Sequence, residues 1–258
     1  MAIINGTENS DIINNPPSDD IVSLKGGNDT FVINSGNDTI YGGNGDDSFN
    51  AIIGGESDGA IVYGGNGNDE VQMTIFYAGD NKLYGGEGLD TLRGASGSDT
   101  ILGGNDNDVL EGRNGDDRLY GEEGNDSIKG GNESDTLSGG NGNDTLVGGI
   151  ASQRLSRRTN VVDDQDVLFG GAGNDVFGVS LDSYATNGNE DFATIKDFKS
   201  GEDKIRLAET TDYYFLQVSG SNTIIYNDID NDGLSYDKIA VVENNTSLDL
   251  NSSDFTFI

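Results

Sequence analysis

Between Gly85 and Val147 one apolar side chain returns at every ninth residue, as Leu92, Ile101, Leu110, Leu119, Ile128, Leu137 and Leu146. Each stands two places after an aspartate, and those aspartates, Asp90, Asp99, Asp108, Asp117, Asp126, Asp135 and Asp144, keep register without a slip. Paired glycines or small residues precede each one; Gly139-Gly140-Asn141-Gly142-Asn143-Asp144-Thr145-Leu146-Val147 is a complete copy. Gly42 to Asn50, around Asp47, and Gly64 to Gln72, around Asp69, are two more. Weaker copies surround Asp11, Asp29, Asp38, Asp166 and Asp175, and Asn81 takes the aspartate's place in the unit before Gly85.

Glycine and asparagine tolerate left-handed backbone, so the first part of each unit predicts a turn. The last three positions, with one inward apolar side chain, predict a short strand. Two units then close a coil of about 18 residues, and coils stack about 4.8 Å apart as two narrow parallel sheets with the apolar residues between them. The expected fold is therefore all-β, a parallel β-roll (β-solenoid) over residues 1–178. One inward residue per strand buries too little apolar surface to offset the ordering of so much glycine. Something else must hold the turns.

The period lengthens between Phe49 and Gly64 and between Val71 and Gly85, which predicts wider coils; Val71 to Tyr77 alternates like a longer strand. Residues 150–165 break it most sharply and carry Arg154, Arg157 and Arg158, which reads as a loop leaving the roll. Pro16-Pro17 suggests a turn that blunts the N-terminal end. After Gly178 alternating runs replace the period: 193–198, 204–207, 213–218, 223–226, 238–242 and 255–258. They predict a C-terminal antiparallel β cap over 179–258, with Ser219-Gly220-Ser221-Asn222 as a hairpin turn.

Composition narrows the chemistry. The chain has 258 residues, with 46 acidic and 14 basic side chains, a formal net charge of −32, and neither histidine, cysteine nor tryptophan. That removes disulfides, His- or Cys-ligated zinc and His-dependent nucleophile pairs. Gly55-Glu56-Ser57-Asp58-Gly59 fits a nucleophile pattern, but no histidine exists to serve as base. The charge disfavours nucleic acid and anionic membrane surfaces, no apolar run is long enough for a membrane span, and cations become the natural partners.

Stacking brings the aspartate of one unit close to the aspartate two units on, and two such carboxylates repel unless a cation lies between them. Calcium accepts 6 to 8 oxygen ligands in loose geometry, which paired carboxylates and carbonyls of glycine-rich turns can supply. Magnesium demands a tighter octahedron, and soft metals want the absent His or Cys. A soluble low-complexity linker and a solenoid that needs no ions are the bland alternatives. The first would not set an apolar residue two places after every ninth aspartate, and the second would carry ladders of unneutralised charge.

These units resemble the RTX (repeats-in-toxin, haemolysin-type) calcium-binding nonapeptide. The resemblance implies several bound calcium ions, a roll that is disordered without them, and export in one step through an uncleaved C-terminal signal. It implies as side-chain ligands the sixth-position aspartates, Asp29, Asp38, Asp47, Asp69, Asp90, Asp99, Asp108, Asp117, Asp126, Asp135, Asp144, Asp166 and Asp175. Asp106 and Glu133 replace the fourth-position glycine and Asn81 an aspartate, so sites near them are expected to be altered or empty. The stretch Ile195 to Ile205 resembles the segment that closes such rolls, and Asp254-Phe255-Thr256-Phe257-Ile258 is similar to the family's export signal, although a buried strand would read alike. Asp228 to Gly233 has the first half of an EF-hand loop, but Ile239 stands where the bidentate Glu belongs.

The expected protein is thus extracellular, secreted by a type I system without a cleaved leader, and non-enzymatic. Calcium is its expected partner, with polysaccharide or a cell-surface component as further candidates. The alternative is an accessory module of a polysaccharide-modifying enzyme, such as an alginate epimerase, or an adhesive component.

Overall fold

The computed structural model describes residues 2–14, 18–51, 59–73, 79–149, 165–179, 192–207, 214–227 and 237–257. The expected Pro16-Pro17 turn, most of both coil insertions and of the Gly55 to Gly59 pattern, the Arg-containing loop and the Asp228 to Gly233 turn lie outside these residues.

The chain winds between two sheets, and each nonapeptide adds one strand, alternately to one and the other. Among the described residues the first sheet has 13 strands and starts with Ile3–Asn5, Ile21–Gly26 and Thr39–Asn44. The second has 11 described strands and starts with Ile12–Asn14, Thr30–Ile33 and Ser48–Ala51. Within the repeat, successive neighbours are parallel, so the eighth-position residues form continuous inward columns. Leu92 pairs with Leu110, Leu110 with Ile128 and Ile128 with Leu146 in the second sheet, and Ile101, Leu119, Leu137 and Leu168 follow one another in the first. All of these are buried. Among the described residues no helix is long and apolar enough to cross a membrane.

Most strands are longer than the three residues expected. Thr100–Asn105 and Ser127–Asn132, for example, run six residues, because the glycine pair and the residue after it stay in the ladder. Only positions four to six turn. Gly88, at the fourth, has φ 119°, which favours glycine, yet Asp106 and Glu133 hold the same position at 74° and 76°. Each of these non-glycine residues costs about 1–2 kcal/mol of backbone strain and leaves the winding intact.

The insertions do not break the stacking. Ile40 pairs with Val62 and Val62 with Leu83 across the longer coils, and Leu137 pairs with Leu168 across the Arg-containing loop. The outer faces differ. The first sheet stacks Tyr41, Tyr63 and Tyr84, with ring centroids 4.9 and 4.7 Å apart, whereas the second carries the charged row Glu70, Arg93, Glu111 and Lys129.

The C-terminal part departs from the expected cap in one respect. Runs 193–198 and 204–207, read as antiparallel, are parallel strands of the roll: Phe192–Ile195 pairs with Gln165–Ala172 and Lys204–Leu207 with Val176–Gly178. Phe255–Phe257 then adds in parallel to the second sheet. The register survives because Ile195 and Ile205 still fill the inward columns, although the spacing between coils is no longer nine-fold. The antiparallel strands are Tyr214–Ser219, Asn222–Asn227 and Asp237–Val242, and Gly220 at φ 64° makes the predicted hairpin turn.

Candidate metal centre

Apart from those at Ala60 and Asn81, the described turns of the repeat end on an aspartate, whose backbone ties it to the next coil. The Asp90 N–H donates to Asp108 Oδ1 at 2.8 Å, the Asp108 N–H to Asp126 Oδ1 at 2.8 Å, and the Asp126 N–H to Asp144 Oδ1 at 2.8 Å. The same bond links Asp29 to Asp47, Asp47 to Asp69, Asp69 to Asp90, Asp144 to Asp175 and Asp175 to Asp203. These turns lead into the second sheet and form one edge of the roll. On the opposite edge the ladder joins Asp20 to Asp38, Asp99 to Asp117, Asp117 to Asp135 and Asp135 to Asp166. One carboxylate oxygen is thereby fixed, and the direction of the other follows.

That second oxygen has no hydrogen-bond partner and is buried in Asp29, Asp47, Asp69, Asp90, Asp108, Asp126, Asp144 and Asp175, an unbroken run along the first edge, and in Asp117 on the opposite edge. In each of these except Asp29, whose turn has Leu24 at its first position, it points over the first-position glycine of its own turn. A Cβ built on Gly85 would collide with Asp90 Oδ2 and stand 2.5 Å from Gly103 O of the next coil. The same Cβ on Gly103 would meet Asp108 Oδ2 and Gly121 O, on Gly121 Asp126 Oδ2 and Gly139 O, and on Gly112 Asp117 Oδ2 and Gly130 O. Gly85 is not left-handed; close approach, rather than φ, demands glycine there.

Each such cradle therefore sets a buried carboxylate oxygen and a backbone carbonyl against the same small space with no donor between them. A buried polar atom left unpaired costs about 1–3 kcal/mol, and more when it is charged. Two acceptors facing each other are stable only around a cation, and an all-oxygen set suits a hard one such as calcium. Among the described residues no three acidic side chains gather at one point, so protein ligands beyond a carboxylate pair must come from the backbone.

The carboxylates register this strain in their proton affinity. Burial, opposed by the backbone N–H and reinforced by neighbouring aspartates, pushes Asp69 and Asp108 up to about 7. Burial likewise raises Asp47 and Asp90 to about 6, Asp144 to about 7 and Asp117 to about 8. Asp29, Asp126 and Asp175 are raised for the same leading reason.

All thirteen aspartates singled out from the sequence are buried in these two edges. Asp38, Asp135 and Asp166 take their places in the ladder. Asp108, despite Asp106 in its turn, keeps the same open oxygen as its neighbours. Asp99 differs: its Oδ2 accepts the Ala95 N–H at 2.8 Å. The opposite edge is also interrupted at Ala60, which replaces an aspartate and whose N–H donates to Asn81 Oδ1 at 3.0 Å. Two ladder members were missed in the sequence: Asp20, which keeps the nine-residue step from Asp11 and Asp29, and Asp203, which does not. The local signature of Asp203, Gly201 two residues before and Ile205 two residues after, was present in the sequence.

The family model of the RTX calcium-binding nonapeptide repeat (4 copies) matches residues 25–51, 77–101, 93–128, 102–136, 120–150 and 163–177. Among curated proteins none matches the chain.

Proposed function

Because the chain belongs to the RTX calcium-binding nonapeptide-repeat family, we propose that it is a secreted protein whose roll forms when external calcium enters the cradles, with a structural or interaction role. The repeat roll is a calcium-binding structural fold and is not catalytic by itself. The observation that carries the reading is the run of buried Oδ2 atoms without donors from Asp29 to Asp175. These oxygens, with carbonyls such as Gly103 O, Gly121 O and Gly139 O, would hold the ions. Bound calcium supplies the positive charge that lets the carboxylates stay ionised inside the turns.

Extracellular calcium modules work at about 10⁻⁴ to 10⁻³ M. An ion present at tenfold its dissociation constant adds about 1.4 kcal/mol, so a row of cradles together decides whether the chain folds. Export fits the same event. The segment resembling a secretion signal adds to the second sheet as its last strand, Phe255–Phe257. The carbohydrate-module reading has less support. The Tyr41, Tyr63 and Tyr84 rings lie within 8° of parallel and cover one another's faces, the surfaces that sugars stack on.

Circular dichroism of the full chain tests the proposal. Millimolar calcium should produce a β spectrum and excess chelator a disordered one; equal β content in both would overturn it.

A further inference from the structure

We propose that the turn from Gly94 to Asp99 takes no calcium, because the Arg113 guanidinium and the Ala95 amide stand where the ion stands in the other turns. This rests on the calcium reading above and divides the aspartates that the repeat alone treats as equivalent.

Three observations converge at this level of the opposite edge. The carboxylate of the preceding coil is missing, replaced by Asn81, whose side-chain amide donates to Gly79 O at 3.0 Å and to Asp99 Oδ1 at 2.9 Å. The second oxygen of Asp99 is closed by the Ala95 N–H. In the open turns the residue at that second position is left-handed, as in Gly86 and Gly104 and even Glu122; Ala95 is not, and its N–H turns inward to the carboxylate. Finally, Arg113 reaches back across two coils, and its Nη1 donates to Met73 O at 2.5 Å and to Gly94 O at 3.0 Å. Gly94 O is a first-position carbonyl, and in the open turns such a carbonyl faces the second oxygen of the preceding coil's aspartate, the place that Asn81 takes here; the carbonyl beside Asp99 Oδ2 is Gly112 O. Arg113 thus fills the station between the Asn81 and Asp99 turns, and the Ala95 amide closes Asp99 itself.

The charges balance without a metal. An open pair of turns presents two carboxylates to a divalent ion; here one carboxylate, one neutral amide and one guanidinium sum to zero. Arginine suits the role because it stays charged when partly buried and forks its donors across two carbonyls. The combination recurs at the C-terminal end of the other edge. There the Lys199 N–H closes Asp203 Oδ2 at 2.7 Å while the Lys199 ammonium donates to Gly171 O at 2.8 Å. The roll thus carries its own cations at stations where the repeat degenerates.

Native mass spectrometry of the full chain in calcium counts the ions. Restoring the repeat with N81D, A95G and R113G together should raise the count by one, and an unchanged count in a folded variant would overturn the proposal. D99N should keep the wild-type count while D108N, on the open edge, lowers it. If D99N and D108N lower it alike, the closed turn is refuted and the calcium reading stands. If neither variant nor the wild type binds specifically, the calcium reading itself has failed.

Discussion

Replacing Asp108 with asparagine should stabilise the ion-free roll and reduce the stabilisation that calcium adds to it. Oδ1 keeps its bond from the Asp90 N–H, so the ladder survives. At the position of Oδ2 an amide N–H now points into the space it shares with Gly121 O. Without calcium the substitution removes a carboxylate whose pKa burial has pushed up to about 7 and replaces its unpartnered Oδ2 with a donor aimed at Gly121 O, a gain of about 1–3 kcal/mol. With calcium at tenfold its dissociation constant it loses at least one ion, about 1.4 kcal/mol per site. Urea unfolding followed by circular dichroism at several calcium concentrations reads the loss as a smaller rise of stability with calcium in D108N than in wild type. In excess chelator, titration with an excluded osmolyte, which favours the compact state, reads the gain as a lower midpoint for D108N than for wild type. If D108N destabilises the roll under both conditions, the cradle is an ordinary hydrogen-bonded turn and the electrostatic reasoning is wrong.

Acid should partly replace calcium. The ion-free roll holds its carboxylate protons up to about pH 6–8, whereas the unfolded chain releases them near 3.9. The ion-free roll is therefore favoured progressively as pH falls from about 8 to about 4, and circular dichroism in chelator should show more β structure at pH 4.5 than at pH 8; the reverse trend counts against this. Gly121→Ala places a methyl group against Asp126 Oδ2 and 2.5 Å from Gly139 O, so it should cost about 1–3 kcal/mol in calcium and weaken calcium binding by calorimetry. Unchanged binding would mean the cradle is not where the ion sits. Glu133→Gly relieves a left-handed residue at φ 76° and should stabilise the calcium-loaded roll by about 0.5–1 kcal/mol in urea unfolding.

Much of this architecture is legible in the chain because two physical constraints share one period. An inward residue must recur to fill the core, and Leu92 to Leu146 do so. A turn must recur to bring backbone and carboxylate together, and Asp90 to Asp144 mark it. What the period hides are features that depend on one dihedral or on a change of coil length. Ala60 holds an aspartate's place, but a 22-residue step in the ladder obscures the equivalence. Asp203 and the parallel strands Phe192–Ile195 and Lys204–Leu207 follow steps of 27 and 28 residues, so their spacing no longer resembles the repeat even though their local residues do. The closure of Asp99 turns on whether the second residue of its turn is left-handed. Lys25, Arg113 and Glu122 are left-handed there and Ala95 is not, a difference that side-chain type does not encode.

The most direct test of the central claim is an anomalous difference map from crystals of the full chain grown in millimolar calcium, recorded at a long wavelength where calcium scatters anomalously. Peaks beside the second carboxylate oxygens of Asp29, Asp47, Asp69, Asp90, Asp108, Asp126, Asp144 and Asp175 are the predicted result. Featureless anomalous density along that edge, with only water between the coils, would contradict it.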